Sequence, residues 1–301
     1  TAEGIRPEWP VCITGTVQHR SEGQTNESLA TGEVEILASE IEVLNTAQTP
    51  PFQIENHIDV NEDLRLKYRY VDLRRPRMAR NLHLRSDFTF ALREAFHKRD
   101  FTEVETPALF KSTPEGARDF LVPSRMQGGS FYALPQLLKQ LLMIGGVERY
   151  YQVAKCFRDE DLRADRQPEF TQVDTEMSFV TQDGVMSELE DILSDAFGKM
   201  GIQMQTPLRR MQYWDAMDTY GTDKPDTRFG MELHDVSNIF QDSSFKLFSG
   251  AAHTDGQYVK AINARGAGSW PRSQIDKLGE VAAGFGAKGL AWIAYREDGS
   301  V

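Results

Sequence analysis

The chain has 301 residues, 40% hydrophobic and 26% charged, so it is long enough for two domains and a sizeable core. Its net charge of −11 argues against indiscriminate nucleic-acid binding while leaving room for a local basic site. Two cysteines (Cys12, Cys156) outside any CxxC pair and six histidines without ligand spacing argue against a disulfide framework or a zinc site, and no apolar run approaches membrane-spanning length.

The first residues, TAEGIRPEWP, resemble neither a signal nor a transit peptide, and the absence of an initiator Met places the expected start upstream. Cysteine usage points to a reducing compartment, the cytoplasm, with the mitochondrial matrix as the alternative. Residues 11–17 and 32–45 read as strands: Val34 and Ile36, then Ile41 and Val43, alternate with polar residues as half-buried strands do. The connection SEGQTNESLATG is turn-rich. Two or three strands are too few for an independent barrel, so this stretch reads as the tail of a small β domain.

TPPF at 49–52 marks a boundary. Residues 64–85 then carry eight Lys/Arg against one acid, Asp72, a local reversal on an acidic chain. Two readings stand: a solvated hinge with snorkelling arginines, or a phosphate-backbone contact between domains. Tyr68 and Tyr70 flank Arg69 and suit either RNA contact or packing. Residues 82–98 read as a helix, with Phe88, Leu92 and Phe96 on one face beside Ala91 and Ala95. A short strand, FTEVETPAL, follows and ends at Pro107.

GGSFYALPQ reads as a turn plus a strand, and QLLKQLLMIGG as a helix stopped by glycines. RYYQVAKCFRDE (149–160) and PEFTQVDTEMSFV (168–180) read as strands, and 183–199 as an amphipathic helix. From 231 onward the elements are short, with glycine-rich turns. Cys156 is expected to be buried rather than reactive, and Trp214, Trp270 and Trp292 are expected in the core.

The two strands around residue 160 make an antiparallel hairpin with an overgrown polar tip, and long ordered tips usually bind something. Alternation puts Gln152, Ala154, Cys156 and Arg158 on one face of the first strand, and Phe170, Gln172, Asp174 and Glu176 on one face of the second. That face suits a nucleotide: Arg158 offers a fork for phosphate, Phe170 a ring for a base, and the deeper carboxylates a partner for an ammonium group. The alternative is an internal ladder of ion pairs among Arg158, Arg163, Arg166 and their acidic neighbours.

FRDEDLRADRQPEFTQVDTE resembles motif 2 of the class II aminoacyl-tRNA synthetases in its aspartyl form. The helix, strand and proline of 82–107 resemble motif 1, the dimer-forming element; DLRRP, TPEGARDFLVPSR and GTDKPDTRFG are similar to segments of bacterial-type aspartate–tRNA ligases. The resemblance implies an α+β fold, an antiparallel sheet flanked by helices. It implies residues 1–50 as the C-terminal part of an OB-fold anticodon-binding domain and 51–80 as a basic hinge. Residues 81–230 would be the catalytic core, and 231–301 the start of an α+β insertion domain.

It also implies roles. Arg158 would hold the α-phosphate of ATP and act in catalysis. Glu160 and Gln167 would contact the nucleotide or the tRNA 3′ end, and Phe170 would stack on adenine. Glu115, Gln136, Lys139 and Asp174 would bind aspartate, with Lys139 on its side-chain carboxylate and Asp174 on its ammonium group. The implied activity is activation of L-aspartate with ATP and Mg²⁺, then esterification of tRNA(Asp), or of both tRNA(Asp) and tRNA(Asn), by a homodimer that has no resident metal site and does not enter a membrane.

The sequence departs from the family pattern twice. LPQLLKQ is three residues shorter than the family's form, so Gln136 stands for either of two family glutamines, and nothing after residue 230 resembles motif 3. The alternatives are a non-catalytic synthetase-like protein that binds RNA or a partner, and a tRNA-independent relative that makes amides from adenylates. The second is opposed by the OB-like N-terminus.

Overall fold

A computed structural model of the chain describes residues 4–111, 118, 120–126, 131–133, 137–161, 166–296 and 299. They form two compact units, 1–207 and 208–301.

In the first unit, strands β1 (Val11–His19) and β2 (Val34–Val43) form an antiparallel hairpin. Val34 and Ile36 are out of phase with Ile41 and Val43 in a strict two-residue repeat, and a bulge resolves the conflict. Thr14 pairs with Glu40 and Gly15 with Ala38, so Ser39 is the extra residue, its hydroxyl donating to the Thr14 carbonyl at 3.0 Å. The shift brings Val34, Ile36, Ile41 and Val43 onto one face with Val11, Ile13 and Val17. Most of that face is exposed rather than half-buried as the alternation predicts, Val17 by 65%, while Val11 and Val34 are half-buried.

The basic stretch is mostly helical: α1 (Glu62–Lys67), α2 (Arg69–Asp72) and the start of α3 (Pro76–His97). Pro76 occupies the first turn of α3, where its missing N–H costs nothing, so the helix begins six residues before the apolar periodicity does. The single acid of the stretch is fully buried. Asp72 accepts from Arg75 at 2.8 Å and also pairs with Arg69, while Arg75 donates to the carbonyls of Glu55 (2.7 Å) and Asn56 (2.8 Å). Burial pushes the Asp72 carboxyl up, but the Arg75 hydrogen bond and the guanidinium charges of Arg69, Arg75 and Arg65 outweigh it and hold the group below the usual carboxylate range. Arg69 and Arg75 are therefore structural partners of Asp72.

After α3 come β3 (Thr102–Glu103), β4 (Phe110–Lys111), β5 (Val122–Pro123), β6 (Phe131–Ala133) and α4 (Leu137–Ile144). Then follow β7 (Arg149–Phe157), β8 (Glu169–Met177) and α5 (Gln182–Lys199). β6 lies between β4 and β5 in a small antiparallel sheet. β7 lies between β3 and β8, antiparallel to β8 but parallel to β3, so this sheet is mixed. Gly145 and Gly146 stop α4 as predicted: Gly146 takes a left-handed φ of 93°, and the amide of Val147 reaches back to the Leu142 carbonyl.

The core lies between α3, α5 and the inner face of β7. Ala91, Leu92, Ala95 and Phe96 of α3 meet Tyr151, Ile192 and Ala196, as the helical spacing predicts. Phe96 stacks on Tyr151 with centroids 4.4 Å apart, and Phe88 meets Phe197 at 4.9 Å. The other face of the hairpin, covered in part by α4, is left to carry the polar side chains.

In the second unit, α6 (Tyr213–Tyr220), β9 (Leu233–Asp235), α7 (Lys246–Ala252), β10 (Lys260–Ile262) and α8 (Arg272–Gly284) are short elements around one antiparallel strand pair. Lys260 of β10 reaches back to Asp218 of α6 at 2.7 Å. The three tryptophans expected in the core are exposed, Trp214 by 76%: the core clusters elsewhere, and Trp214 instead packs edge-on against Tyr213. No helix among the described residues is long and apolar enough to cross a membrane.

Candidate functional site

The β7–β8 register places Gln152 opposite Asp174, Ala154 opposite Gln172 and Cys156 opposite Phe170, so the polar face is the one alternation assigns. Tyr150 and Glu176 extend it by one further pair. The opposite face carries Tyr151, Val153 and Met177 into the core. A hairpin with an apolar inner face and a polar outer face is thereby fixed on a rigid support, with its polar side chains held in place.

At the inner end, helix α4 lays Lys139 against the strand. Its ammonium group lies 2.8 Å from Asp174 and 3.0 Å from Glu176, and its side chain is only 15% exposed. Burial pushes the Lys139 ammonium down, but the hydrogen bonds to the two carboxylates and their charges more than reverse this, so it sits above the usual lysine range. The ammonium has three N–H donors, of which these contacts use two. Beside it, the Gln152 carbonyl oxygen accepts from Thr106 Oγ1 at 3.0 Å and from the Tyr150 hydroxyl at 2.9 Å. The Thr106 amide, which can only donate, approaches the same oxygen at 3.4 Å and so fixes which end of the Gln152 amide is which.

Midway, Cys156 is half-buried, with Sγ 3.5 Å from the Gln172 side-chain oxygen. Burial and the charge of Asp174 push its thiol up, which agrees with an unreactive cysteine. At the outer end, the Arg158 guanidinium carbon lies 5.2 Å from the centre of the Phe170 ring. The Arg158 amide donates to the Pro168 carbonyl at 2.9 Å, one rung beyond the last strand pair. Glu160 is paired with Arg166 at 3.0 Å across the tip, and Gln167 is exposed.

Of the predicted residues, Arg158, Phe170, Asp174 and Lys139 stand on or against this one face, with Glu160 and Gln167 at the tip. Glu115 and Gln136 lie outside the described residues, as does Arg163 of the alternative ion-pair ladder. That ladder survives at the tip as Glu160–Arg166, while Arg158 pairs with a ring. The alternation gives no role to Tyr150, Gln152, Thr106 or Arg118, whereas Glu176, one of the deeper carboxylates expected to partner an ammonium group, does pair with that of Lys139. One more step of the alternation would have found Tyr150; Thr106 and Arg118 come from distant segments without a periodic signal. Among the described residues no group of three or more His, Cys, Asp or Glu side chains is placed to hold a metal ion.

A family model described as tRNA synthetases class II (D, K and N) matches residues 61–276. Over 99% of its length the chain is 52% identical to the Aspartate–tRNA(Asp/Asn) ligase of Desulfatibacillum aliphaticivorans and 55% identical to that of Bacillus subtilis (strain 168). It is 54% identical to the Aspartate–tRNA ligase of Bacillus licheniformis. The chain spans about half the length of these curated relatives, 51% in each case. Among solved structures, a putative aspartyl-tRNA synthetase from Leishmania major Friedlin matches with a TM-score of 0.56 at 25% identity, over 64% of this chain and 39% of that one. Asparaginyl-tRNA synthetase of Entamoeba histolytica, in complex with asparaginyl-adenylate, matches with a TM-score of 0.58 over 72% of this chain and 52% of that one; at 20% identity it bears on the fold alone.

Proposed function

The chain belongs to the class II tRNA synthetases of the D, K and N group, and on that premise we propose that it serves an aspartate–tRNA ligase. The observation that carries the proposal is the single polar hairpin face, with an arginine–phenylalanine pair at one end and a lysine between two carboxylates at the other.

The chemistry suits that layout. In the first step a carboxylate oxygen of aspartate attacks the α-phosphorus of ATP; the new O–P bond forms as the bond to pyrophosphate breaks. Arg158 holds the α-phosphate and balances the charge spread over its oxygens in the transition state, and Phe170 stacks on adenine. In the second step a hydroxyl of the tRNA terminal ribose attacks the activated carbonyl and AMP leaves. Glu160 and Gln167, at the tip, contact the nucleotide or the tRNA end; Glu115 and Gln136 contact the amino acid.

The inner cluster reads aspartate. Lys139, Asp174 and Glu176 together carry a formal charge of −1, which the substrate's ammonium group balances, with Asp174 as its contact. The remaining Lys139 donor takes the side-chain carboxylate. Asparagine offers a neutral amide there, whose oxygen can accept the donor but brings no charge, so the selection rests on the lost charge-assisted hydrogen bond. In this reading Mg²⁺ arrives with the ATP phosphates.

In the same reading residues 1–50 belong to an anticodon-binding OB-fold, 51–80 to the hinge, 81–230 to the catalytic core and 231–301 to an insertion domain. The protein acts in the cytoplasm as a homodimer joined through the motif 1 helix. Charging of tRNA(Asn) as well as tRNA(Asp) draws support from the names of two of the three relatives above.

The test is aspartate-dependent ATP–pyrophosphate exchange by the full-length protein, with asparagine and lysine as controls, followed by charging of each tRNA. Exchange with aspartate alone is expected. Absence of exchange with all three amino acids would overturn the catalytic reading in favour of a synthetase-like binding protein.

A further inference from the structure

Asp159 stands immediately after Arg158, and its side chain is exposed, so water could hydrate its peptide group. Both polar atoms of that residue's backbone go instead to one partner. The Asp159 amide donates to the Arg118 carbonyl at 2.8 Å, and the Asp159 carbonyl accepts the Arg118 Nε–H at 2.6 Å. The opposite charges also approach, Arg118 Nε lying 3.8 Å from Asp159 Oδ2. Arg158 is thus bracketed: its own amide is tied to Pro168 across the hairpin, and the next residue is tied to Arg118.

We infer that Arg118 is a positioning residue, which fixes the backbone on the outer side of Arg158 and so aims the Arg158 guanidinium at the phosphate site. The inference rests on the role proposed above for Arg158. Beyond the last rung of a strand pair the backbone frays readily, and a group displaced by about 1 Å from its reacting partner loses on the order of 10²-fold in rate. The Arg118 side chain is 70% exposed, so buried area does not account for the contact. An exposed pair of this kind adds little to folding stability, and its effect belongs to the geometry it imposes.

The test uses the full-length protein and aspartate-dependent ATP–pyrophosphate exchange. Arg118→Ala is expected to lower kcat about tenfold, less than a full misplacement would cost because the Asp159 amide keeps its bond to the residue-118 carbonyl. The aspartate KM and the thermal midpoint stay near wild type. Arg118→Lys, which retains one donor for the Asp159 carbonyl, restores part of the loss. In an Arg158→Lys background the effect of Arg118→Ala shrinks toward nothing, because coupled residues are non-additive. Hydrogen exchange at the Asp159 amide rises in Arg118→Ala. An unchanged kcat, or the same loss in the Arg158→Lys background, overturns the inference while leaving the proposed function standing. A wild-type protein without aspartate-dependent exchange overturns both.

Discussion

Lys139, on helix α4, places its ammonium nitrogen 2.8 Å from a carboxylate oxygen of Asp174, which lies 35 residues further along the chain on strand β8. Glu176, two residues beyond on the same face, closes the other side at 3.0 Å. This lysine both joins the helix to the sheet and supplies the cation of the inner site.

Replacing Lys139 by Met is therefore expected to act twice. The aspartate KM rises by about 100-fold or more in the exchange assay, since the carboxylate partner is lost. The protein is also destabilised by about 1–2 kcal/mol, because Asp174 and Glu176 then face each other without their cation; their partial exposure keeps the cost below that of a fully buried pair. Because the native ammonium pKa is raised, the stabilisation is complete below the unfolded lysine value and disappears as pH rises through the higher native one. Denaturant titrations of wild type and Lys139→Met should converge at alkaline pH.

Phe170 shares the outer end of the face with Arg158. Removing its ring by Phe170→Ala should raise the ATP KM roughly tenfold, as loss of one stacking platform does, while Phe170→Tyr keeps the ring and stays near wild type. Initial-rate kinetics at varied ATP separate the two. Equal losses in both variants would argue against stacking.

Asp72 is a buried acid between two arginines. Asp72→Asn should cost about 3 kcal/mol in unfolding free energy, because the buried Arg75 loses its counter-charge. The native carboxyl is held below its unfolded value, so the contribution is present above the usual carboxylate range and falls away as acid carries the pH down through the native value. The gap between wild type and variant, measured by urea unfolding from pH 7 to pH 3, should narrow at the acid end.

Gly15 sits at the bulge of β1, where an added Cβ would lie 2.4 Å from the Leu37 carbonyl oxygen and 2.7 Å from an Ile36 methyl. The oxygen belongs to the backbone and cannot rotate away. Gly15→Val should therefore open the β1–β2 pairing, at a cost of about 1–3 kcal/mol. Faster hydrogen exchange confined to residues 11–19 and 34–43 is the expected readout, with the β7–β8 amides unchanged.

What rests on local geometry was legible in the order of the amino acids. A strand turns its side chains over every second residue, so the face carrying Gln152, Arg158, Phe170, Asp174 and Glu176 could be read without coordinates. The α3 stripe of Ala91, Leu92, Ala95 and Phe96 and the glycine stop after α4 were legible for the same reason. Which distant segments meet that face depends on how the elements pack. Lys139 comes to it from α4, Thr106 from the chain beyond β3, and Arg118 from a segment that reaches Asp159 across 41 residues. None of these contacts leaves a period in the sequence. The tertiary structure likewise turned part of the basic stretch into partners for a buried Asp72 and left Trp214 on the surface, because burial depends on what packs above a residue. Side-chain type fixes how much a group gains from being buried, and the packing of elements far apart in sequence settles whether it is.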